Sequence, residues 1–297
     1  MPTPLVRNRQ LQTDTWRNNL FTNGGLEIWQ RGTTFNATNG AFTADRWRSD
    51  IQGGSGEAIN VVQITSTIGT PGLSAQLVYT HGTGTIQFMN WSEPGLLKAL
   101  KGFTISVAFT VRSTVAGTVR PVFRSWSGGV TQYGNANVGT GIERLTVVTN
   151  LPANDPATGG ILTGVELGNA SCTVELNDAT MVVGPVAADY VPLHPADDMA
   201  RCQRYYEKHG PGGNYPQGTG YAAGASYYIG TSFPYHVVKP VVPTITLGGT
   251  FGLSNMNAPA SYGASVDGVM IEGTTTAAGQ VYWYSASSGY FTVEANP

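Results

Sequence analysis

Between Gly102 and Ser113 the chain reads GFTISVAFTVRS, with apolar residues at alternate positions. Phe103, Ile105, Val107, Phe109 and Val111 fall on one face of an extended chain, and Thr104, Ser106, Thr110 and Arg112 on the other. Successive strand side chains point to opposite faces, so alternation of this length specifies a half-buried antiparallel strand and excludes an amphipathic helix. EAINVVQIT, SAQLVYT, TIQFMNW, TVRPVFRSW, IERLTVVT and CTVELNDATMVV repeat the pattern less cleanly. Between them lie the joints GTPG, HGTG, SGGVTQYGNANVGTG and NDPATGG, whose Gly, Asn and Pro residues favour turns. Many short strands with frequent turn signals predict a two-sheet jelly-roll β-sandwich over residues 19–193.

The rest of the chain divides around one helical pattern. HPADDMARCQRYYEKHGPGG sets Pro195 in a first turn, Asp197 and Asp198 near the positive end of the helix dipole, Lys208 in the last turn and Gly210-Pro211 as a stop. It predicts a linking helix within residues 194–210, from about Ala196 to His209, with Met199, Cys202, Tyr206 and His209 on one face. Residues 211–297 form a second, smaller β domain. Its prolines at 234, 240 and 243 belong on edges or at bends, and its tail reads as a final pair of hairpin strands. Residues 1–18 are polar and aperiodic, which predicts an arm ordered only against a partner. The fold class is therefore mainly β.

Charged residues are 11% of the chain, against 41% hydrophobic, and the net charge is −2. Lys98, Lys101, Lys208 and Lys239 are the only lysines, so no basic block exists to hold a phosphate backbone, and nucleic acid is excluded as a partner. No apolar run approaches the roughly 20 residues of a membrane span, and the start MPTPLVRNRQ lacks the apolar segment of a signal peptide. The expectation is synthesis in the cytosol without export. Cys172 alternates with Val174 and Leu176 and reads as a small core residue.

No nucleophile elbow, P-loop or dinucleotide fingerprint is present, and His81, His194, His209 and His236 show no recognisable spacing to an acid. A carboxylate pair assembled in space, such as Glu166 with Glu175, is the remaining route to catalysis; the expectation is that the protein is not an enzyme. Two kinds of binding site are candidates. A first and a last strand running side by side would bring Glu27, Asp178 and the carbonyls near Asn23 together as hard oxygen ligands for a structural calcium. Alternatively Glu27 pairs with Arg31 or Arg46, and Asp178 caps a turn. For a glycan, flat aromatic rings flanked by polar groups are needed. Trp91, Trp126 and Tyr133 are candidates with Arg120 and Arg124, which share a strand face with Trp126; Trp283 is a further candidate in the tail. Core or subunit packing is the alternative for each ring. Trp29 and Trp47 are assigned to the core.

NLFTNGGLEIWQRG followed by FTADRW resembles the opening of a domain common in tail-fibre and other virion proteins of tailed bacteriophages. The matching residues are Asn19, Leu20, Asn23, Gly24, Glu27, Trp29, Gln30, Arg31, Gly32 and Thr43 to Trp47. MARCQRYYEK, from Met199 to Lys208, and FPYHVVKPVVPTIT are similar to a second part of such proteins. The first domain is also similar to jelly-roll carbohydrate-binding modules, which open with Asn-Gly-x-apolar-Glu and close with an Asp-bearing strand. The resemblance implies a non-enzymatic virion subunit, namely a tail fibre, spike or decoration protein, that forms a homotrimer. It would dock on other virion proteins through residues 1–18 and attach to a bacterial surface polysaccharide. Pure scaffolding without a ligand and glycan depolymerisation are the alternatives. The resemblance also implies a calcium held by Glu27 and Asp178, although the usual doubled Asp is here Asn177-Asp178. The opening motif reads as a latch, in which Gly24 and Gly25 turn the chain, Trp29 and Trp47 fill the sandwich end, and Asp45 and Arg46 tie the corner.

Overall fold

The computed structural model describes residues 19–210, 217–286 and 288–296. The arm expected at residues 1–18 lies outside the described residues. The chain divides into two compact units, Met1–Asp198 and Met199–Pro297.

The first unit is a jelly-roll β-sandwich. Its strands are β1 (Thr34–Ala37), β2 (Trp47–Gln52), β3 (Ala58–Thr65), β4 (Leu73–Thr80), β5 (Thr85–Ser92), β6 (Thr104–Ser113), β7 (Val119–Ser125), β8 (Thr131–Tyr133), β9 (Ile142–Asn150), β10 (Ile161–Leu167) and β11 (Cys172–Val183). They form a six-stranded sheet, β1-β3-β4-β11-β6-β9, and a five-stranded sheet, β2-β5-β10-β7-β8. All the pairings are antiparallel. The inward residues of both sheets share one core, including Ile59, Leu77, Ile105, Val107, Phe109 and Leu176 from the first and Ile86, Phe88, Phe123 and Val165 from the second. The alternation in β6 thus marks the face in this core, but the strand is not half-buried as expected, since Ser106, Ala108 and Thr110 on its other face are buried too. Phe103, just before the strand begins, is about half exposed. Cys172 is in the core, as its alternation predicts.

Strand β11 carries an irregularity between Asn177 and Thr180, where its register with β6 shifts. Asp178 there has φ 50°, a left-handed conformation that Asp tolerates better than most residues. Such a bulge re-aims a side chain that regular pairing would fix.

A seven-residue helix, α1 (Pro94–Leu100), lies between β5 and β6 and buries Leu97 and Leu100. Its sequence gives no sign of it, because about two helical turns leave little periodicity. Helix α2 (Pro195–Gln203) begins where expected, with Asp197 and Asp198 in its first turn, but ends six residues early. The correction has a clear cause. Tyr206–His209 forms β12 and pairs with the last strand of the chain, and a strand partner satisfies that backbone as fully as another helical turn.

The second unit contains, besides β12, β13 (Gln217–Ala222), β14 (Tyr228–Pro234), β15 (Thr244–Gly248), β16 (Phe251–Ser254), β17 (Ala260–Tyr262), β18 (Gly268–Thr274), β19 (Gly279–Ser285) and β20 (Tyr290–Glu294). The tail does not form hairpins with itself, contrary to the sequence reading. Each of its three strands instead becomes the centre of a separate sheet: β12-β20-β15, β13-β19-β16 and β14-β18-β17. Their inward faces meet in a core of Trp283, Phe291, Val281, Val293, Ile271 and Val269. Pro234 ends the edge strand β14, Pro240 lies in a bend and Pro243 stands just before β15, consistent with their missing N–H donors. No helix among the described residues is long and apolar enough to cross a membrane.

Candidate functional site

The opening segment is a latch against β11. Asn19 Nδ2 donates to the Ala179 carbonyl at 2.8 Å, and the Leu20 and Ala179 amides donate to Met181 O and Gly24 O, both at 2.9 Å. A Cβ at Gly24 would lie 2.6 Å from the Ala179 carbonyl, so this approach requires glycine. Trp47 is fully buried, stacked between Phe21 and Phe88 at ring separations of 5.7 and 5.3 Å. Arg31 pairs with Asp45 at 3.1 Å, and Gln30 also donates to Asp45. These contacts are structural: they tie buried rings and main-chain groups to one another.

Glu27 and Asp178 converge on the loop of residues 66–72. Glu27 Oε1 accepts from the Leu73 amide at 2.8 Å, and Asp178 Oδ2 accepts from the Thr70 amide at 2.9 Å. Asp178 Oδ1 is buried without a hydrogen-bond partner among the described residues. A buried carboxylate oxygen left unpaired is costly, and a hard cation would satisfy it. The donor set therefore fits calcium at Glu27 and Asp178. Asn23 stands apart from it. Its amide group bonds Ile28 and Asp45, and its carbonyl accepts from Leu26 and from the Trp47 indole. Its polar atoms hold the turn, so it adds no free ligand.

The outward face of the five-stranded sheet gathers most of the predicted glycan residues. Because β7 alternates inward and outward, Arg120, Val122 and Arg124 point away from the shared core, and Trp126 follows just past the strand end. Register then sets rows across the sheet. Asp50, Gln87, Glu166 and Arg120 are successive cross-strand partners on β2, β5, β10 and β7. Beside them run Arg48, Met89, Gly164, Val122 and Tyr133, and next Trp91, Leu162, Arg124 and Thr131. Met89, Val122 and Leu162 form a buried apolar floor on which Trp91 and Tyr133 pack.

Polar groups on this floor are held rigidly. Glu166 accepts from Gln87 Nε2 at 2.7 Å and from Arg120 Nε at 2.8 Å. The Arg120 guanidinium lies 4.0 Å from the centroid of the Tyr133 ring. Arg48 donates to Asp50 at 2.8 Å and sits 4.4 Å over Trp91, whose indole N–H donates to Gly159 O at 3.2 Å. Trp91 and Trp126 face each other at 6.5 Å, tilted by 58°, and Trp126 is 38% exposed. A cavity of about 310 Å³ is lined in part by Arg120, Glu166, Thr118, Asn135 and Asn169. Rings beside fixed donors and acceptors are what a pyranose needs, since its C–H face stacks while its hydroxyls are bonded.

The sequence reading missed Arg48, Asp50, Gln87 and Glu166 on this face. Their outward alternation in WRSDIQ, TIQFMNW and ILTGVEL was the available signal, but pairing order was not readable from it. Trp283 is corrected. It is fully buried in the core of the second unit, packed by Phe233 and Phe251, while Tyr282 and Tyr284 point outward. Strand alternation separates the three, and the largest ring takes the inner side. Glu166 and Glu175 do not pair, because they lie on the outward faces of opposite sheets.

No protein-family model matches the chain. No curated protein matches it either. Among solved structures, the chain is similar to the enzymatically active domain of tailspike protein 4 of bacteriophage CBA120, at 11% identity and TM-score 0.39. That match covers 56% of this chain but only 21% of the tailspike chain. It is also similar to TmCBM61 in complex with β-1,4-galactotriose, at 12% identity and TM-score 0.37, covering 56% of this chain and 99% of that one. A third is the CBM22-1 xylan-binding domain of Xyn10C from Paenibacillus barcinonensis, at 13% identity and TM-score 0.33, covering 52% and 94%.

Proposed function

We propose that the chain is a non-enzymatic attachment subunit of a tailed-phage virion that holds a bacterial surface polysaccharide on the outward face of its five-stranded sheet. The observation that carries the binding role is the convergence of Trp91, Trp126 and Tyr133 with Arg120, Arg124 and the buried Glu166 on that one face. The two carboxylates there, Asp50 and Glu166, are each engaged by an arginine, which suits holding sugar hydroxyls better than moving protons. The virion role rests on the resemblance of the Asn19–Trp47 and Met199–Lys208 motifs to tail-fibre proteins. In this reading residues 1–18 dock on a neighbouring virion protein. A calcium at Glu27 and Asp178 would tie the latch to the loop of residues 66–72.

The homotrimer rests on the same resemblance, and exposed rings on the second unit offer it contact surface. Tyr221, Tyr228 and Tyr262 are 78%, 71% and 63% exposed. A glycan array probed with the purified chain, followed by binding to host cells, tests the attachment role. Binding to a defined bacterial polysaccharide without shortening it is the expected result. An array blank across bacterial glycans, with no cell binding, would leave scaffolding as the function. Light scattering of the same sample reads the subunit count, and deletion of residues 1–18 should abolish incorporation into particles while leaving a folded body.

A further inference from the structure

The early end of α2 creates a cluster that a longer helix would have dispersed. In β12, Glu207 and His209 are two residues apart and so share a face of the sheet, the one on which their β20 partners Val293 and Phe291 join the core. His209 stacks on Phe291 at 4.5 Å, which fixes its ring. The segment after β14 brings His236 over it, with the two imidazoles 5.4 Å apart and 16° from parallel. Both rings aim a nitrogen at one oxygen. His209 Nε2 is 3.1 Å and His236 Nδ1 is 2.8 Å from Glu207 Oε2.

We infer that Glu207, His209 and His236 form a site for a single zinc ion. The three ligand atoms all lie within 4.8 Å of one another, the one such group among the described residues. A tetrahedral zinc with bonds of about 2.1 Å sets its ligand atoms roughly 3.4 Å apart. The two Glu207–histidine separations, 3.1 and 2.8 Å, need to open by only about 0.3–0.6 Å, and the two imidazole nitrogens, within 4.8 Å of each other, need to move by at most about 1.4 Å. His236, whose side chain is 53% exposed, can give that much and provides the way in. Two imidazoles and one carboxylate favour zinc over calcium, which prefers oxygen alone. Three protein ligands leave a fourth position for water, as in open zinc sites.

Lys239 does not compete for the ligand oxygen. Its buried ammonium bonds Glu207 Oε1 and the Gln203 carbonyl, and the Val237 amide also donates to Oε1 at 3.3 Å. These bonds turn the other oxygen, Oε2, toward the imidazoles, as outer partners of metal-bound carboxylates do, and the His236 amide, which donates to Oε2 at 3.2 Å, holds it there as a further outer partner. Each histidine would carry its proton on the ring nitrogen facing away from Glu207. The zinc replaces two N–H···O bonds with two N–Zn bonds and neutralises no group that Lys239 needs.

The test uses the full chain without an affinity tag. Calorimetric titration with zinc chloride should show one ion bound per chain, and cobalt substitution should give the visible absorption of a tetrahedral site. His236→Ala, which alters a half-exposed side chain, should keep its metal-free melting temperature and lose roughly tenfold or more in zinc affinity. His209→Gln should lose it as well; should that variant fail to fold, His236→Ala and the cobalt spectrum decide alone. No binding by the wild-type chain, or equal binding by His236→Ala, overturns the assignment.

Discussion

The indole N–H of Trp47 donates to the main-chain carbonyl of Asn23 at 2.9 Å, joining the start of β2 to the glycine turn of the opening segment. The same indole fills the sandwich end between Phe21, Phe88 and Phe109. Removing it would leave a cavity and an unpaired carbonyl together. Trp47→Ala should cost about 3–5 kcal/mol, enough to unfold or aggregate the first unit. Trp47→Phe keeps most of the packing and should cost less, and urea melts followed by circular dichroism rank the two. A Trp47→Ala protein that folds normally and loses only ligand binding would contradict the latch.

Gly25 offers a sharper test of the same corner. A Cβ placed there would overlap the Tyr190 hydroxyl, while the ring carbon that carries it stands 3.2 Å away. Gly25→Ala should therefore destabilise by roughly 1–3 kcal/mol, the range for overpacking. Tyr190→Phe removes the offending oxygen, so the double variant should recover much of the loss. Gly24→Ala meets the Ala179 main-chain carbonyl instead, and no side-chain change should rescue it.

The strands of the first unit were legible because apolar residues alternate along them, as Ile105 to Val111 illustrate, although both faces of that stretch are buried. What alternation cannot supply is the partner. Nothing local in WRSDIQ or ILTGVEL says that Asp50 and Glu166 flank Gln87, because register is a long-range property. Alternation put Arg120, Arg124 and Trp126 on one strand face, but only the structure brings Trp91 and Tyr133 beside them. The histidine cluster was hidden by a specific error. Carried on to His209, a helix turns Glu207 and His209 about 200° apart, whereas β12 sets them side by side. Tyr206 to His209 reads equally well as helix or strand, and β20, nearly a hundred residues on, decides.

Glu175 gives the first unit a pH dependence with a definite sign. Burial alone would raise its carboxyl. The hydroxyl and amide of Thr67, the Ser74 hydroxyl and the Arg112 charge outweigh burial and hold it below its ordinary value of 4.5. A carboxyl depressed on folding stabilises above the unfolded value, and that contribution is lost as pH falls below about 4.5. The melting temperature should therefore drop as the solution is acidified through that range. Glu175→Gln should melt lower at neutral pH and show a flatter acid limb. Parallel limbs for the two proteins would mean that another group carries the effect.

The unpaired Oδ1 of Asp178 predicts a metal response. With calcium bound between Glu27 and Asp178, chelation by EDTA should lower the melting temperature of the full chain by several degrees, and added calcium should restore it. Asp178→Asn should abolish the response and melt near the chelated wild type. A wild-type melting curve indifferent to both EDTA and calcium would leave the loop of residues 66–72 held by its hydrogen bonds alone.

Binding on the five-stranded sheet should separate cleanly from folding. Trp126 is partly exposed and stands beyond the end of β7, so its ring contributes little to the core, and Trp126→Ala should leave the melting temperature nearly unchanged. If sugars stack between it and Trp91, the loss should appear as weakened polysaccharide affinity, by about 1–3 kcal/mol per aromatic anchor removed. Arg124 sharpens the comparison. Its side-chain hydrogen bond among the described residues, to Gln52 Oε1, is long at 3.5 Å, so Arg124→Ala should also spare stability while weakening retention on a polysaccharide affinity gel. Arg120 differs, because it pairs with the buried Glu166 and stacks on Tyr133, and its loss strands a carboxylate. Arg120→Ala should therefore reduce both melting temperature and binding. If Trp126→Ala and Arg124→Ala bind as the wild type does, this face is not where the polysaccharide sits.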